Sequence, residues 1–294
     1  MNSGVEDPVR VAAAIYLKNN VNQDWVEMEP VPGGPVEYTI HEQDKELIRN
    51  QIIDAIVLAP ANLRSHLAGC VNVIVKHDFP AKWTNLLDKI SFYLSNPDPN
   101  HWQGALLALY QLVKNYEYKT GDDRAPLGQV MKVLLPVLYQ RMMDVFPDES
   151  NDSLLIQRQI LKIMYAFVQY HLPQDQLSRP VFLQWMEVMK QIVERPVPLS
   201  VQQMDLDDRS SHAAWKCKKW ALHFLSRVFD RYGSPGSANK EYKDFADWFI
   251  KTFSAGIITA LFSILSSHAA TPTDPSKWVA PRVLQQTLNY ITTA

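Results

Sequence analysis

The sequence predicts an all-α protein, a solenoid built of helical hairpins. Apolar residues recur at the spacing of one helix face, as in the run Leu63, Leu67, Cys70, Val71 and Ile74. No run alternates apolar and polar residues as a half-buried strand would. Because paired helices recur about every 40–60 residues, a repeat of the HEAT or armadillo type is favoured over the alternative of a single globular all-α domain.

Each predicted helix is bounded by a break in the sequence, since proline and glycine interrupt helices. The first five are 8–21 before the loop 30–35, 41–58 before Pro60, 62–77 before Pro80, 82–95 before the loop 96–100, and 101–118 before the acidic pair Asp122-Asp123. The other six are 126–145 before Pro147, 153–171 before Pro173, 180–194 before Pro196 and Pro198, 213–231 before the loop 233–236, 240–266 before the loop 271–275, and 279–291. The polar stretch 199–211 is predicted to be a long loop.

Composition excludes several classes of protein. The chain has 294 residues, 47% of them hydrophobic and 20% charged, which is typical of a folded globular protein. Its net charge of −2 supplies no bulk polycation, so no direct nucleic-acid partner is expected. Cys70 and Cys217 form no zinc-binding spacing and no disulfide framework. No catalytic or phosphate-binding motif occurs, so the sequence predicts a protein that is not an enzyme and needs no metal or cofactor.

The sequence also predicts that the chain does not insert into a membrane. The opening ten residues have no apolar core of the kind that a secretory signal needs. The longest uncharged stretch, Thr252–Thr273, contains several Ser and Thr residues, so we expect a buried helix followed by a loop.

Five strings narrow the identification to one family. They are VRVAAAIYLKNNVNQDW from Val9, VIVKHDFPAKWTNLLDKISFYL from Val73, LYQLVKNYEYK from Leu109, WKCKKWALHFLSRVFDRYGSPG from Trp215, and KWVAPRVLQQTLNYI from Lys277. Together they resemble the N-terminal part of the importin-7/importin-8 group in the importin-β (karyopherin-β) superfamily. The resemblance covers nearly everything from about residue 7 onwards.

The resemblance implies a right-handed solenoid of HEAT repeats, here about five and a half hairpins. Residues 7–119 match the N-terminal type of importin-β repeat, 120–294 match further repeats, and 1–6 match nothing and stand where the family has about three earlier helices. We therefore expect an incomplete first repeat, with an apolar strip left uncovered on the first helix. The strip consists of Val9, Ala13, Tyr16 and Leu17.

The family is known for nuclear transport, so the resemblance implies a receptor that binds Ran-GTP and FG-repeat nucleoporins and carries protein cargo into the nucleus. Ribosomal proteins and histones are the implied cargo, importin-β is an implied partner, and the cytoplasm, nucleus and nuclear pore are the implied locations. Ran would contact the helices 8–21, 62–77 and 101–118. The matching polar residues are Arg10, Lys18, Asn19, His66, Lys76, His77, Asp78, Lys114 and Asn115.

Two further surfaces are predicted, each with an ordinary structural alternative. The resemblance implies slots for nucleoporin phenylalanines, which would be lined by Val133, Val137, Phe182, Trp185, Met186 and Met189, although such a stripe also suits a core. A basic ridge with spacings of 3, 4 and 4 would contact an acidic partner or acidic loop, although it also suits a solvated helix face. Its residues are Lys216, Lys219, His223 and Arg227.

Two other functional interpretations stay open at this point. A generic HEAT scaffold or adaptor would bind partners without regard to the nucleotide state of Ran. A truncated importin fragment would have the fold without transport activity.

Overall fold

A computed structural model describes residues 4–27, 38–234 and 240–293 of the chain. In these ranges the protein is all-α and contains no strand, which confirms the predicted fold class. The helices are α1 Asp7–Asp24, α2 Glu42–Leu58, α3 Ala61–Asp78, α4 Leu86–Ser95, α5 Asn100–Tyr116, α6 Ala125–Val145, α7 Asn151–Val168, α8 Arg179–Glu194, α9 Leu199–Gln202, α10 Leu206–Ser211, α11 Ala213–Val228, α12 Lys243–Ala270 and α13 Pro281–Thr293. The predicted loop 30–35 and the end of the predicted loop 233–236 lie outside the described residues.

Some details of the predicted helix pattern were wrong. The stretch 199–211, predicted as a loop, contains the short helices α9 and α10, which begin after Pro198 and Asp205 in extended backbone. The helix predicted to begin at residue 82 begins at Leu86 instead. The reason is a turn after α3, in which the backbone amides of Lys82 and Trp83 both donate to the carbonyl oxygen of Asp78.

The chain forms two compact units, Met1–Leu138 and Tyr139–Ala294, so the boundary falls inside α6. In the first unit α3 packs between α1 and α5, and these three helices form one layer. Helices α2 and α4 form a second layer on α3 and α5. The predicted division at residue 120 concerns the type of repeat and stays a prediction.

In the first unit α5 approaches the backbone of α2 closely at Gly104. A Cβ atom there would lie 2.6 Å from the Cα atom of Val57. Glycine is therefore required at this crossing, because any other residue would collide with the backbone of α2.

The second unit repeats the two-layer arrangement. Helix α11 packs between α7 and α13, and α8 and α12 pack together on the other side. The core between these layers is rich in aromatic residues, and Phe182 of α8 lies at its centre. Its ring contacts Phe224 of α11 and Phe245, Phe249 and Phe253 of α12.

Helix α12 corrects the expectation of a buried helix over 252–273. Among the described residues it is the one helix long and apolar enough to cross a membrane by length and composition. Only 17% of its most apolar 18-residue segment is buried. Ile257 and Leu261 face the core, whereas Ile258 and Phe262 are exposed.

The strip on α1 agrees with expectation, since Val9, Ala13 and Tyr16 are exposed and Leu17 is half-buried.

Candidate functional site

The polar residues predicted to contact Ran lie on one layer of the first unit. Helices α1, α3 and α5, which carry all nine, pack side by side. The layer is held by polar contacts between α3 and α5: the Asn72 Nδ2 donates to Gln111 Oε1 at 3.1 Å, and the Asn115 Nδ2 donates to the Asn72 carbonyl at 3.1 Å. Asn19, Lys76 and His77 are exposed at the ends of α1 and α3, where a partner can reach them.

Several residues of that predicted set are already engaged within the chain. Arg10 pairs with Asp7, and the Lys114 Nζ lies 2.5 Å from the buried Glu117 carboxylate. Lys18 and His66 are half-buried. These four side chains are therefore less accessible to a partner than the exposed residues of the set.

Asp78 differs from the rest because it is buried, with 5% of its surface exposed. Its Oδ2 accepts hydrogen bonds from Arg49 Nη1 at 2.7 Å and from Trp25 Nε1 at 3.2 Å. The expectation that Asp78 faces a partner is therefore corrected: its carboxylate joins α2, α3 and the end of α1.

The predicted nucleoporin residues divide between the two units. Val133 is exposed and Val137 is half-buried on the first-unit part of α6. Phe182, Trp185 and Met189 are completely buried on α8, so the expectation of an accessible lining is wrong for these three. They belong to the aromatic core, which their helical spacing also fits.

Of the four predicted nucleoporin residues on α8, Met186 alone borders a cavity of about 290 Å³ that is open to solvent. The cavity lies between α8, α11 and α12. Its walls are mainly apolar, and Glu187 and Lys190 are the charged residues at its edge. The apolar lining consists of Leu183, Met186, Val193, Leu222, Leu225, Phe253, Gly256, Ile257, Ala260 and Leu261, together with Thr252. The sequence did not indicate α12 as one wall, because the partner helix lies about 70 residues further along the chain.

The predicted basic ridge lies on α11 between α7 and α13. Lys216, Lys219 and Arg227 are half-buried on this face. His223 is not a cation at neutral pH, because burial and the neighbouring Lys219 and Arg227 lower its pKa to about 4. The ridge is therefore three cations and one neutral imidazole, which corrects the description of His223 as basic.

No group of three or more His, Cys, Asp or Glu side chains that could hold a metal ion occurs among the described residues. Both cysteines are free and buried, and burial raises the pKa of each thiol to about 12. Neither therefore has the exposed, lowered-pKa environment of a reactive cysteine.

Comparison with known proteins agrees with the arrangement of the helices. The Importin-beta N-terminal domain pattern matches residues 1–57. Importin-8 of Mus musculus is 46% identical over 288 residues, which cover 98% of this chain and 28% of that protein. Importin-8 of Homo sapiens is also 46% identical over 288 residues, covering 98% of this chain and 27% of that protein. This chain belongs to the importin-β superfamily.

Within the superfamily, these identities place the chain in the importin-7/importin-8 group, as the quoted strings implied. The helical solenoid is shared with the exportin Cse1 in its cargo-free, cytoplasmic state, with a TM-score of 0.77 and 18% identity. That match covers 99% of this chain and 30% of Cse1. The chain thus spans less than a third of the length of these relatives.

The resemblance to the importin family did not indicate one buried cation, Lys218. Lys218 lies on the side of α11 opposite the ridge, and its Nζ donates to the carbonyl oxygens of Ile192, Val193 and Arg195 at 3.2, 2.6 and 2.5 Å. These carbonyls end α8, so Lys218 caps the helix. The spacing of Lys218 from the core residues of α11 was the signal that could have revealed it.

Proposed function

We propose that this chain is part of a nuclear transport receptor that shuttles between cytoplasm and nucleus and carries protein cargo through the nuclear pore into the nucleus. The observation that carries the proposal is the 46% identity to Importin-8 over 98% of the chain. The relatives and the structural match are named importins and an exportin, and none is named as an enzyme. The chain would therefore act by binding, and any nucleotide hydrolysis would belong to Ran.

The first partner proposed is Ran in its GTP-bound form, on the layer formed by α1, α3 and α5. Two observations support this surface. Asn19, Lys76 and His77 are exposed there and offer charged and hydrogen-bonding groups to a partner's carboxylates and carbonyls. The rigid packing of α3 against α5 through Asn72 and Gln111 holds that surface in place before a partner arrives.

The test is a binding titration of the 294-residue chain with Ran loaded with a non-hydrolysable GTP analogue, with GDP-loaded Ran as the comparison. Selective binding to the GTP form is expected, and Lys76→Gln with His77→Gln should weaken it about tenfold. Lys132→Gln, an exposed lysine on α6, is the matched control and should change little. Equal binding to both nucleotide states by a folded chain would favour the generic HEAT scaffold. If the chain does not bind Ran, the first helices of Importin-8 are joined to it and the titration is repeated. Recovered binding would identify a truncated importin fragment, and continued absence of binding would show that the functional assignment is wrong.

The second partner proposed is the phenylalanine side chain of an FG-repeat nucleoporin, in the cavity between α8, α11 and α12. An open apolar cavity of about 290 Å³ is large enough for one aromatic ring. Met186 supplies an adaptable wall, and Gly256 leaves open space beside it, with no atom within 4 Å of a Cβ placed there. Cargo such as ribosomal proteins or histones, and importin-β as a partner, remain part of the proposal through the resemblance alone.

An FG-repeat peptide titrated into the labelled chain tests this site by NMR or fluorescence. Leu183→Gln should weaken binding several-fold, since Leu183 is 43% exposed and lines the cavity. Leu288→Gln on α13 is the matched control, because Leu288 is 51% exposed and does not line the cavity. A peptide with Ser in place of Phe should not bind. If Leu183→Gln and Leu288→Gln bind alike, the cavity is not the site.

A further inference from the structure

The basic residues of α11 belong to a larger patch that spans three helices of the second unit. The Lys219 Nζ and Lys162 Nζ lie 4.9 and 5.9 Å from the centre of the Trp220 ring, so α7 and α11 contribute to one cluster. Arg158 of α7 and Arg282 of α13 are close enough to depress the pKa of Lys219, after burial itself. We define the basic patch by its six cations: Arg158, Lys162, Lys216, Lys219, Arg227 and Arg282.

Acidic groups lie near the two ends of the patch. Asp230 lies 3.8 Å from Arg227 at one end, and Asp208 borders the cavity that holds Arg158 and Lys216 at the other. In the part of the chain that the structure describes, Arg158, Lys216 and Lys219 form no ion pair with a carboxylate. Like charges held together without counter-charges cost free energy in the unbound protein.

One cation of the patch also has an unsatisfied donor. The Arg158 Nε is buried and has no hydrogen-bond partner within the described residues. A buried guanidinium donor without a partner is uncommon, because it forfeits hydration without gaining a hydrogen bond.

The shape of the patch matches an extended chain. Cavities of about 360 and 410 Å³ flank it, the first beside Arg158 and Lys216 and the second beside His223 and Arg227. Eleven residues of α11 separate Lys216 from Arg227, a rise of about 16 Å. An extended peptide of about five residues covers that distance. The Gln286 and Asn289 amides that line the second cavity can pair with peptide backbone.

From these observations we propose that the basic patch on α7, α11 and α13 binds an extended acidic peptide segment of a protein partner, rich in Asp and Glu. A single-stranded nucleic acid fits less well, because it needs free aromatic faces for base stacking. The ring of Trp220 is already covered by Lys162, Lys219 and the His223 imidazole, whose centre lies 5.2 Å away. This inference depends neither on the Ran surface nor on the apolar cavity.

The test uses the 294-residue chain and a fluorescein-labelled hexaglutamate peptide, measured by fluorescence anisotropy at low and at physiological ionic strength. A deoxythymidine dodecamer and a hexalysine peptide serve as comparisons. We expect the hexaglutamate to bind, added salt to weaken it, and Lys216→Gln with Lys219→Gln to lower affinity at least about tenfold. The matched control removes two exposed lysines of α12, Lys243→Gln with Lys251→Gln, and should lower affinity less than about twofold.

Three results would overturn the proposal: no hexaglutamate binding by the folded chain at low salt, equal losses in the two lysine pairs, or tighter binding of the oligonucleotide than of the peptide. Circular dichroism checks that each variant is folded. Should the α11 pair unfold the chain, Arg282→Gln replaces it, because Arg282 is exposed on α13 and its loss leaves the core intact. That single variant should weaken peptide binding about threefold, and an unchanged affinity would also count against the patch.

Discussion

The Arg49 guanidinium and the Asp78 carboxylate form a buried ion pair, with 2.7 Å between Nη1 and Oδ2. Arg49 lies on α2 and Asp78 ends α3, so the pair joins the two helices of one hairpin. Trp25, just after α1, donates a second bond to the same carboxylate oxygen. The exposed Glu42 accepts from the other side of the guanidinium at 2.5 Å. Three successive helices are thus tied at one charged point.

Arg49→Met should destabilise the first unit by about 3–5 kcal/mol, since it leaves the Asp78 carboxylate buried without its counter-charge. Urea unfolding measured by circular dichroism checks this value. Glu42→Gln is the matched control, because it removes only the exposed partner of Arg49, and it should cost below about 1 kcal/mol. Similar losses in both variants would show that Asp78 is not the partner that matters.

Gly104→Ala should destabilise the chain by about 1–3 kcal/mol, because the new methyl group would lie 2.6 Å from the Cα atom of Val57 and would push α5 away from α2. Gly256→Ala makes the same chemical change and should have the opposite effect on stability. Its methyl group would meet no atom within 4 Å, so the better helix propensity of alanine should stabilise α12 by about 1 kcal/mol. Equal signs for the two variants in thermal unfolding would contradict the close crossing.

Lys218 should make stability depend on pH above neutrality. Burial, and then the charge of Arg195, lower its folded-state pKa to about 8, below the value of the unfolded chain. Between about pH 8 and 10.4 the unfolded state therefore binds more protons, so the Lys218 contribution to stability rises with pH, by up to about 3 kcal/mol.

The measurement compares denaturant unfolding of the natural chain and Lys218→Met from pH 7 to 10. The variant should be less stable by about 1–3 kcal/mol at pH 7, because three carbonyls at the end of α8 lose their donor. The difference between the two proteins should then grow as pH rises. A difference that shrinks over this range would mean that the folded-state pKa of Lys218 is not lowered.

Cys70 and Cys217 should not react with Ellman's reagent at pH 8 while the chain is folded. Burial raises the pKa of each thiol to about 12, and the Cys217 Sγ donates to the Leu154 carbonyl at 3.3 Å. The reagent attacks the thiolate, which is nearly absent at that pH. Both cysteines should react after addition of guanidinium chloride, and rapid reaction of either without denaturant would contradict its burial.

The sequence predicted the helices better than the roles of their faces. The stripe containing Phe182 and Met189 was visible from spacing, yet spacing alone could not distinguish a core from an accessible slot. The structure decides this through α12, whose Phe245 and Phe249 rings contact Phe182. Similarly, Asp78 appeared to be a polar helix end, and its burial depends on Arg49, which lies 29 residues earlier in the sequence.

The helices α9 and α10 were missed for a local reason. Their four and six residues are too few to show a helical period, and Pro198 and the acidic pair Asp207-Asp208 are typical of loops. Neither N-cap residue, Pro198 or Asp205, makes a side-chain hydrogen bond to its helix, so no capping signal marks where they begin.

By itself, the sequence determined that the chain is all-α, where most helices break, and which superfamily it resembles. These properties depend on local periodicity, on proline and glycine, and on strings of neighbouring residues. Only the tertiary structure decided that His223 is neutral, that Asp78 is buried, and that Arg158 and Arg282 join the cations of α11 in one patch. The physical reason is that burial and charge depend on side chains brought together from helices far apart in the sequence, whereas helix formation depends on residues within a few turns.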